Sequence, residues 1–441
     1  MTQTSSPASS ESTLASVTGT VRRKSYIAAL SGNFLEWFDW TMFAVFTPYI
    51  AANFFDQTDP VSAVLNTLIV FAVGFVTRPL GAFFLGRFAD RIGRRYILLI
   101  CVGVMSLCAF AISIIPGYAE IGVAASALLV LVRLTQGFVH GGEAGAAYTY
   151  IAELAPPKRR GLWASGAFVS ANAGALLATG LALIFTSVLG NEAMTEFGWR
   201  IAFAIAGALG IIVYFLRRAA AETLHMELEE HSKKTAAKRA AVASVTYDRR
   251  AVIARIVLIG VLCASSTMPY YIWGSLASTT AIVNHNMDPQ AAFAISMIAQ
   301  VLILAVLPFA GMFADRYGRR TAAIVYGIGV AIAPIPLGMV LSDQPWSLFV
   351  YMMVGLLLWT LMGAMLPAYT PELLPTSVRT FGVSFGSAVA IAIFSGTAPY
   401  IQQWLTSLEL PWVFSMYMSA TALLALVAAK FLPETKGINL D

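Results

Sequence analysis

Five ionisable side chains, Glu36, Asp39, Arg78, Arg133 and Glu143, stand inside long apolar runs of this chain, with His140 as a polar neighbour. Charge is costly in an apolar medium, so such groups face a cavity or one another and mark chemistry. Arg133, Gln136, His140 and Glu143 step by three, four and three residues, which sets them on one face of a helix. Asn33, Glu36 and Asp39 share a face of an earlier run. A carboxylate beside a guanidinium suits proton exchange, because the cation competes with the proton for the charged form. Asp39 is the first candidate for that role, with a permanent structural ion pair as the alternative. Glu36 is open to either the proton path or a gate. Arg78, between Gly74 and Gly81, offers a planar two-pronged donor that fits a carboxylate anion. The competing reading is a salt bridge, since Glu36 and Asp39 could neutralise both arginines. His140 either relays protons or packs as a hydrogen-bonded side chain. No metal site is expected: His140-x-x-Glu143 is one short pair, and His225, His231 and His285 fall in connections.

The elements that must hold these groups follow from composition. Of 441 residues, 58% are apolar and only 12% charged, whereas soluble domains carry about a quarter charged residues. A water-soluble globule is excluded. Apolar runs bounded by charge, Pro or Gly fall at 26–52, 63–85, 96–115, 121–150, 162–189, 199–216, 254–280, 291–310, 321–341, 346–369, 381–401 and 411–432. Each is long enough for a bilayer and lacks the alternation of outer-membrane strands. The expected class is an all-α polytopic membrane protein of twelve helices, with an N-terminal tail at 1–25, a central loop at 217–252 and a C-terminal tail at 433–441. The Ser/Thr-rich start has no apolar core of a signal peptide. Cys101, Cys108 and Cys263 read as lone packing residues. If the spans alternate, the basic residues gather on one side of the membrane except Arg78, Arg133 and Arg200. The positive-inside rule then makes both termini and the central loop cytoplasmic. The net charge of +5 reflects orientation, and no nucleic-acid partner is expected.

A decapeptide repeats. Gly86-Arg-Phe-Ala-Asp90-Arg-Ile-Gly93-Arg94-Arg95 returns as Gly311-Met-Phe-Ala-Asp315-Arg-Tyr-Gly318-Arg319-Arg320, and Glu153-Leu-x-Pro156 with Arg160 is echoed by Glu372-Leu-x-Pro375 with Arg379. Both echoes follow the second and fourth spans of their halves, so the chain divides into two six-helix halves, 26–216 and 253–432. Pseudo-symmetric halves binding substrate between them at the midplane are a transporter architecture. The repeated segment resembles the signature of the major facilitator superfamily. Gly32-Asn-Phe-Leu-Glu36-Trp-Phe-Asp39, Arg78-Pro79-Leu80-Gly81, and Arg133-x-x-Gln136-Gly137 with Gly141-Gly142-Glu143 are similar to the metabolite:proton symporter family, and Pro433-Glu434-Thr435-Lys436-Gly437 to a more general superfamily ending.

That resemblance implies proton-coupled uptake of a small, anionic organic acid such as a dicarboxylate, tricarboxylate, 2-oxo acid or shikimate, with osmolytes as a minority branch. It also implies a monomer in a bacterial inner membrane, surrounded by lipid and needing no cofactor, and an Asp39–Arg133 pair between spans 1 and 4. The repeated residues Gly86, Asp90, Arg94, Arg95, Glu153, Arg160, Gly311, Asp315, Arg319, Arg320, Glu372 and Arg379, together with Glu143, are expected to form a cytoplasmic gate. Tyr270 and Tyr271, after an interruption at Thr267-Met268-Pro269, join Trp359, Asn33, Asn172, Gln136, His140 and Gln300 with Arg78 and Arg133 as candidates to line the substrate site. An ATP-driven pump is disfavoured by the lack of a phosphate-binding loop, and an enzyme by the lack of a nucleophile or metal constellation. A drug/proton antiporter would not need the midplane arginines, and the short segment after span 12 disfavours an osmosensing symporter.

Overall fold

The computed structural model describes residues 19–92, 94–141, 144–215, 218, 248–376 and 378–440, and for several of these, including 86–92 and 94–98, the backbone alone. Among the described residues it contains helices and no strand. Among the described residues eight helices are long and apolar enough to cross a membrane, and the pair Arg319–Ile332 and Pro334–Val340, bent by 47°, makes a ninth. One of the eight, Pro157–Phe215, is two crossings. Gly190, with φ 78° and ψ 168°, leaves the helical path there, a conformation that needs glycine. Beyond it the chain returns: Arg200 donates to the carbonyls of Ser113 and Ile115, and Gly207 and Gly210 then pass Phe110 and Ser106 in reverse order. Span 1 (Gly19–Val45 with Thr47–Phe54) and span 3 (Arg94–Ile114) complete the twelve. Span 1 is less apolar because it carries Asn33, Glu36 and Asp39.

Local chemistry sets several boundaries. Asp59 accepts from the amides of Val61 and Ser62 and precedes Pro60, a proline-led helix start for span 2. Asp288 and Pro289 start span 8 in the same way. Span 7 differs from the sequence expectation: its helix, Arg249–Tyr270, continues through Pro269 and changes to a π turn over Tyr271–Ser275. Proline has no N–H for the carbonyl four residues back, and the Tyr326 hydroxyl of span 9 donates to that carbonyl, Ser265 O. Span 11 also contains a π turn, Ile391–Ser395, and Thr267 Oγ1 and Ser395 Oγ link the two spans at 2.5 Å.

The halves meet along helix pairs. Spans 5 and 8 run antiparallel, from Gly161 opposite Gly311 to Thr179 opposite Gln300. Span 1 meets span 7 where Thr279 donates to Ala44 O at 2.8 Å, and span 2 meets span 11 where Phe75 lies on Gly396. Within the first half, spans 2 and 4 touch backbone to backbone, since a Cβ on Gly81 or Gly137 would overlap the carbonyl of Phe138 or Gly74. That contact brings Arg78 beside the polar face of span 4.

Candidate functional site

The span 1 and span 4 polar faces meet in two clusters. Gln136 Nε2 donates to both carboxylate oxygens of Asp39 at 3.1 Å, and Arg133 Nη1 lies 3.4 Å from Asp39 Oδ2. Arg133 is fully buried, with its guanidinium carbon 3.7 Å from the ring centre of Phe43. One turn along the same faces, His140 Nε2 meets Glu36 Oε1 at 2.6 Å. Each acid of span 1 therefore has a partner on span 4.

Arg78 is different. It is 6% exposed and forms no ion pair with a carboxylate among the described residues. Its Nε and Nη2 groups lack a hydrogen-bond acceptor, as do those of Arg133, so the difference lies in the missing carboxylate. The guanidinium lies 4.0 Å from the ring centre of Phe75 and 4.3 Å from that of Trp40, with Tyr271 and Glu36 among its polar neighbours. Aromatic faces stabilise a cation but accept none of its hydrogen bonds. A buried guanidinium with open donors has the chemistry to receive an anion's oxygens. Trp40 touches both arginines, its ring centre 5.2 Å from the Arg133 guanidinium, and meets the His140 ring edge-on at 5.8 Å.

From Arg78 an aromatic cluster crosses the seam. Tyr271 meets Phe75 at 5.3 Å and Trp37 at 5.6 Å between ring centres. Trp37 meets Tyr270 at 4.9 Å, Tyr270 meets Trp359 at 4.6 Å, and Trp359 meets Phe168 at 5.1 Å. The structure thus assembles Arg78, Tyr270, Tyr271 and Trp359 at one place, beside the pairs formed by Glu36, His140, Asp39, Arg133 and Gln136.

Three sequence candidates lie elsewhere, with their amide nitrogens donating within the helix packing. Asn33 donates to Ala167 O at 2.5 Å and Ser170 Oγ at 2.8 Å, tying span 1 to span 5. Asn172 donates to its own helix at Phe168 O, 2.9 Å away. Gln300 donates to Thr179 Oγ1 at 3.1 Å, in the contact of spans 5 and 8. Trp37, Trp40, Phe75 and Phe168 were not singled out from sequence. Helical spacing could have found two of them: Trp40 follows Glu36 by four residues and Phe75 precedes Arg78 by three.

On the face where the basic connections gather, side chains of one half bind the other. Asp315 accepts from the amides of Gly161 at 2.8 Å and Leu162 at 2.9 Å, capping the first turn of span 5. Glu372 accepts from Arg160 at 2.9 Å, Arg319 at 3.4 Å and Thr435 Oγ1 at 2.6 Å. Arg379 reaches Glu153 at 2.9 Å, and Arg319 pairs with Asp315 at 2.8 Å. A Cβ on Gly311 would come within 2.6 Å of Gly161 O, so the glycines permit this approach. The segment after span 12 joins in: Glu434 accepts from the amides of Arg319 and Arg320, and Arg160 donates to Ile438 O. Glu143 lies outside the described residues, as do the side chains of Asp90, Arg94 and Arg95; Gly86 is described by its backbone alone.

Comparison with known proteins places this arrangement. Residues 24–441 match the family described as "Sugar (and other) transporter". The alpha-ketoglutarate permease of Escherichia coli (strain K12) is 32% identical over 417 residues, covering 94% of each chain. The citrate-proton symporter of Klebsiella pneumoniae is 30% identical over 96% of this chain and 94% of its own. The proline/betaine transporter of Salmonella typhimurium is 30% identical over 94% of this chain and 84% of its own. Among solved structures, the E. coli xylose transporter XylE in a partially occluded inward open conformation superposes with a TM-score of 0.75 at 18% identity, over 95% of this chain and all of that one. The chain belongs to the sugar (and other) transporter family and shares the fold of that xylose transporter.

Proposed function

We propose that this protein accumulates a small organic acid by proton symport, alternating access between the two faces of a bacterial inner membrane. The observation that carries the reading is the Arg78 guanidinium, buried at the seam with two open N–H groups. A substrate carboxylate supplies the missing oxygens, from a position that both halves enclose. Asp39 carries the proton: when ionised it is held by Arg133 and Gln136, and protonation cancels the attraction and loosens Arg133. Because the Trp40 ring lies against both guanidinium groups, a change at one is felt at the other. The permease and the citrate-proton symporter named above are the relatives that support an acid; the proline/betaine relative supports a zwitterion as the second reading.

The test is uptake into proteoliposomes of mono-, di- and tricarboxylates, aromatic acids and betaines, with and without an imposed pH gradient. A driving force of about 100 mV yields roughly 2.3 kcal/mol per charge moved, close to a forty-fold concentration ratio. The expected result is acid accumulation of that order, abolished by a protonophore. Uptake indifferent to the gradient would refute proton coupling, and betaine uptake without a response to acids would refute the acid.

By the positive-inside rule the basic face is cytoplasmic, and its cross-half contacts act as the gate on that side. Glu372→Gln leaves Arg160 and Arg319 short of a buried partner, a change that costs about 3–5 kcal/mol where a buried pair is broken. The closed face should loosen. A cysteine at Ala164, fully buried one turn inside the contact, is expected to react at least about tenfold faster with a membrane-impermeant maleimide in the Glu372→Gln protein. The native Cys101, Cys108 and Cys263 are replaced for this measurement. An unchanged rate would mean that Glu372 does not hold the face shut.

A further inference from the structure

The charges of the central layer come from one half. Glu36, Asp39, Arg78, Arg133 and His140 all belong to spans 1, 2 and 4. In the other half, residues 256–315, 321–378 and 380–429 contain neither Lys nor Arg. What spans 7 and 10 bring to the seam is aromatic and neutral: Tyr270, Tyr271 and Trp359. Of the two midplane arginines, Arg133 also has Nε and Nη2 open, but the Asp39 carboxylate already balances its charge and it is fully buried against Phe43. Arg78 is left as the cation able to receive a substrate carboxylate, so a second carboxylate reaching toward spans 7 and 10 would meet no cation. An unpaired buried anion is strongly disfavoured.

The walls describe the rest of the substrate. Rings of Phe75, Tyr271, Trp37, Tyr270 and Trp359 follow one another from Arg78 across the seam, neighbours 4.6–5.6 Å apart between centres. Such rings pair with other flat rings, edge-on or offset. At the far end Trp359 Nε1 is buried without an acceptor. A buried donor without a partner favours a ligand oxygen there, and a neutral one suffices. From these three features we infer that the substrate is an aromatic monocarboxylate: one carboxylate on Arg78, a flat ring among the seam aromatics, and a neutral oxygen opposite Trp359.

This inference rests on Arg78 as the carboxylate ligand, and it departs from the multivalent acids named for two of the relatives. It is tested on the purified full-length protein by calorimetric titration at a fixed pH with benzoate, 4-hydroxybenzoate, glutarate, citrate and glycine betaine. 4-Hydroxybenzoate is expected to bind at least about 100-fold tighter than glutarate or citrate, the penalty of an unpaired buried carboxylate, and about tenfold tighter than benzoate through its extra hydrogen bond. Trp359→Phe should reduce the ratio between the two ring acids to about one. Tighter binding of glutarate, citrate or betaine than of either ring acid overturns the inference, and so does the absence of measurable ring-acid binding. Uptake separates the two readings: a ring acid that binds but does not respond to a pH gradient leaves the substrate class standing and refutes proton symport.

Discussion

Asp39→Asn is expected to abolish gradient-driven accumulation, bringing the concentration ratio from tens-fold to about one, while exchange of labelled for unlabelled substrate persists. The variant removes a titratable proton and little else. Its amide fits the existing site because Gln136 can turn over: Gln136 Nε2 now donates to Asp39, while Gln136 Oε1 has no partner. After the flip that oxygen accepts from the new Asn amide, and Gln136 Nε2 remains a donor for other groups. Arg133 loses its counter-charge, but a symport cycle passes through a protonated Asp39 in any case, so the fold must already tolerate this. Paired assays decide the matter. Accumulation that survives in Asp39→Asn would remove Asp39 from the proton path, and loss of exchange along with accumulation would make it a structural residue.

The second large effect belongs to Arg78. Arg78→Ala should reduce substrate affinity by at least about 100-fold, since hydrogen bonds to charged groups contribute about 1.5–3 kcal/mol each and two N–H groups are open. Arg78→Lys should rescue little, because an ammonium neither lies flat between Phe75 and Trp40 nor presents two parallel donors. Stability should move the other way. An unpaired buried cation is a burden on the folded state, so the melting temperature of Arg78→Ala should hold or rise. A fall of more than about 10 °C, large for any single substitution, would show that Arg78 supports the fold. Unchanged uptake would remove it from the site.

The sequence conveyed the fold through features that repeat: twelve apolar runs, the one-sided basic residues and the duplicated decapeptide. It also conveyed which charges share a helix face, because Arg133, Gln136 and His140 follow helical spacing on an unbroken element. Partners across helices were less accessible. Nothing in the spacing tells that Asn33 is spent on span 5 or that Gln300 Nε2 is held by Thr179, since a buried amide held by a neighbouring helix looks the same in sequence as one facing a cavity. The aromatic wall was partly hidden for a related reason. Trp37, Trp40 and Phe168 sit in runs rich in apolar residues, where a ring that lines a site and a ring that packs a core have the same pattern. The break at Gly190 was expected as a connection, but its sharpness depends on a backbone angle that glycine permits without announcing.

The π turns of spans 7 and 11 have a mechanical consequence. In each, one N–H reaches back five residues, from Leu276 to Tyr271 O and from Gly396 to Ile391 O, both at 2.8 Å. Each span therefore stores one residue more than an α path over the same length requires. If that surplus is handed on to the next turn, the stretch in between advances by about 1.5 Å and turns by about 100°, the step of one α-helical residue, without net loss of backbone hydrogen bonds. Tyr271 and Phe75's neighbour Gly396 sit at these two places. The wall facing Arg78 can thus be re-aimed like a ratchet advanced by a single tooth, while the helices on either side keep their register.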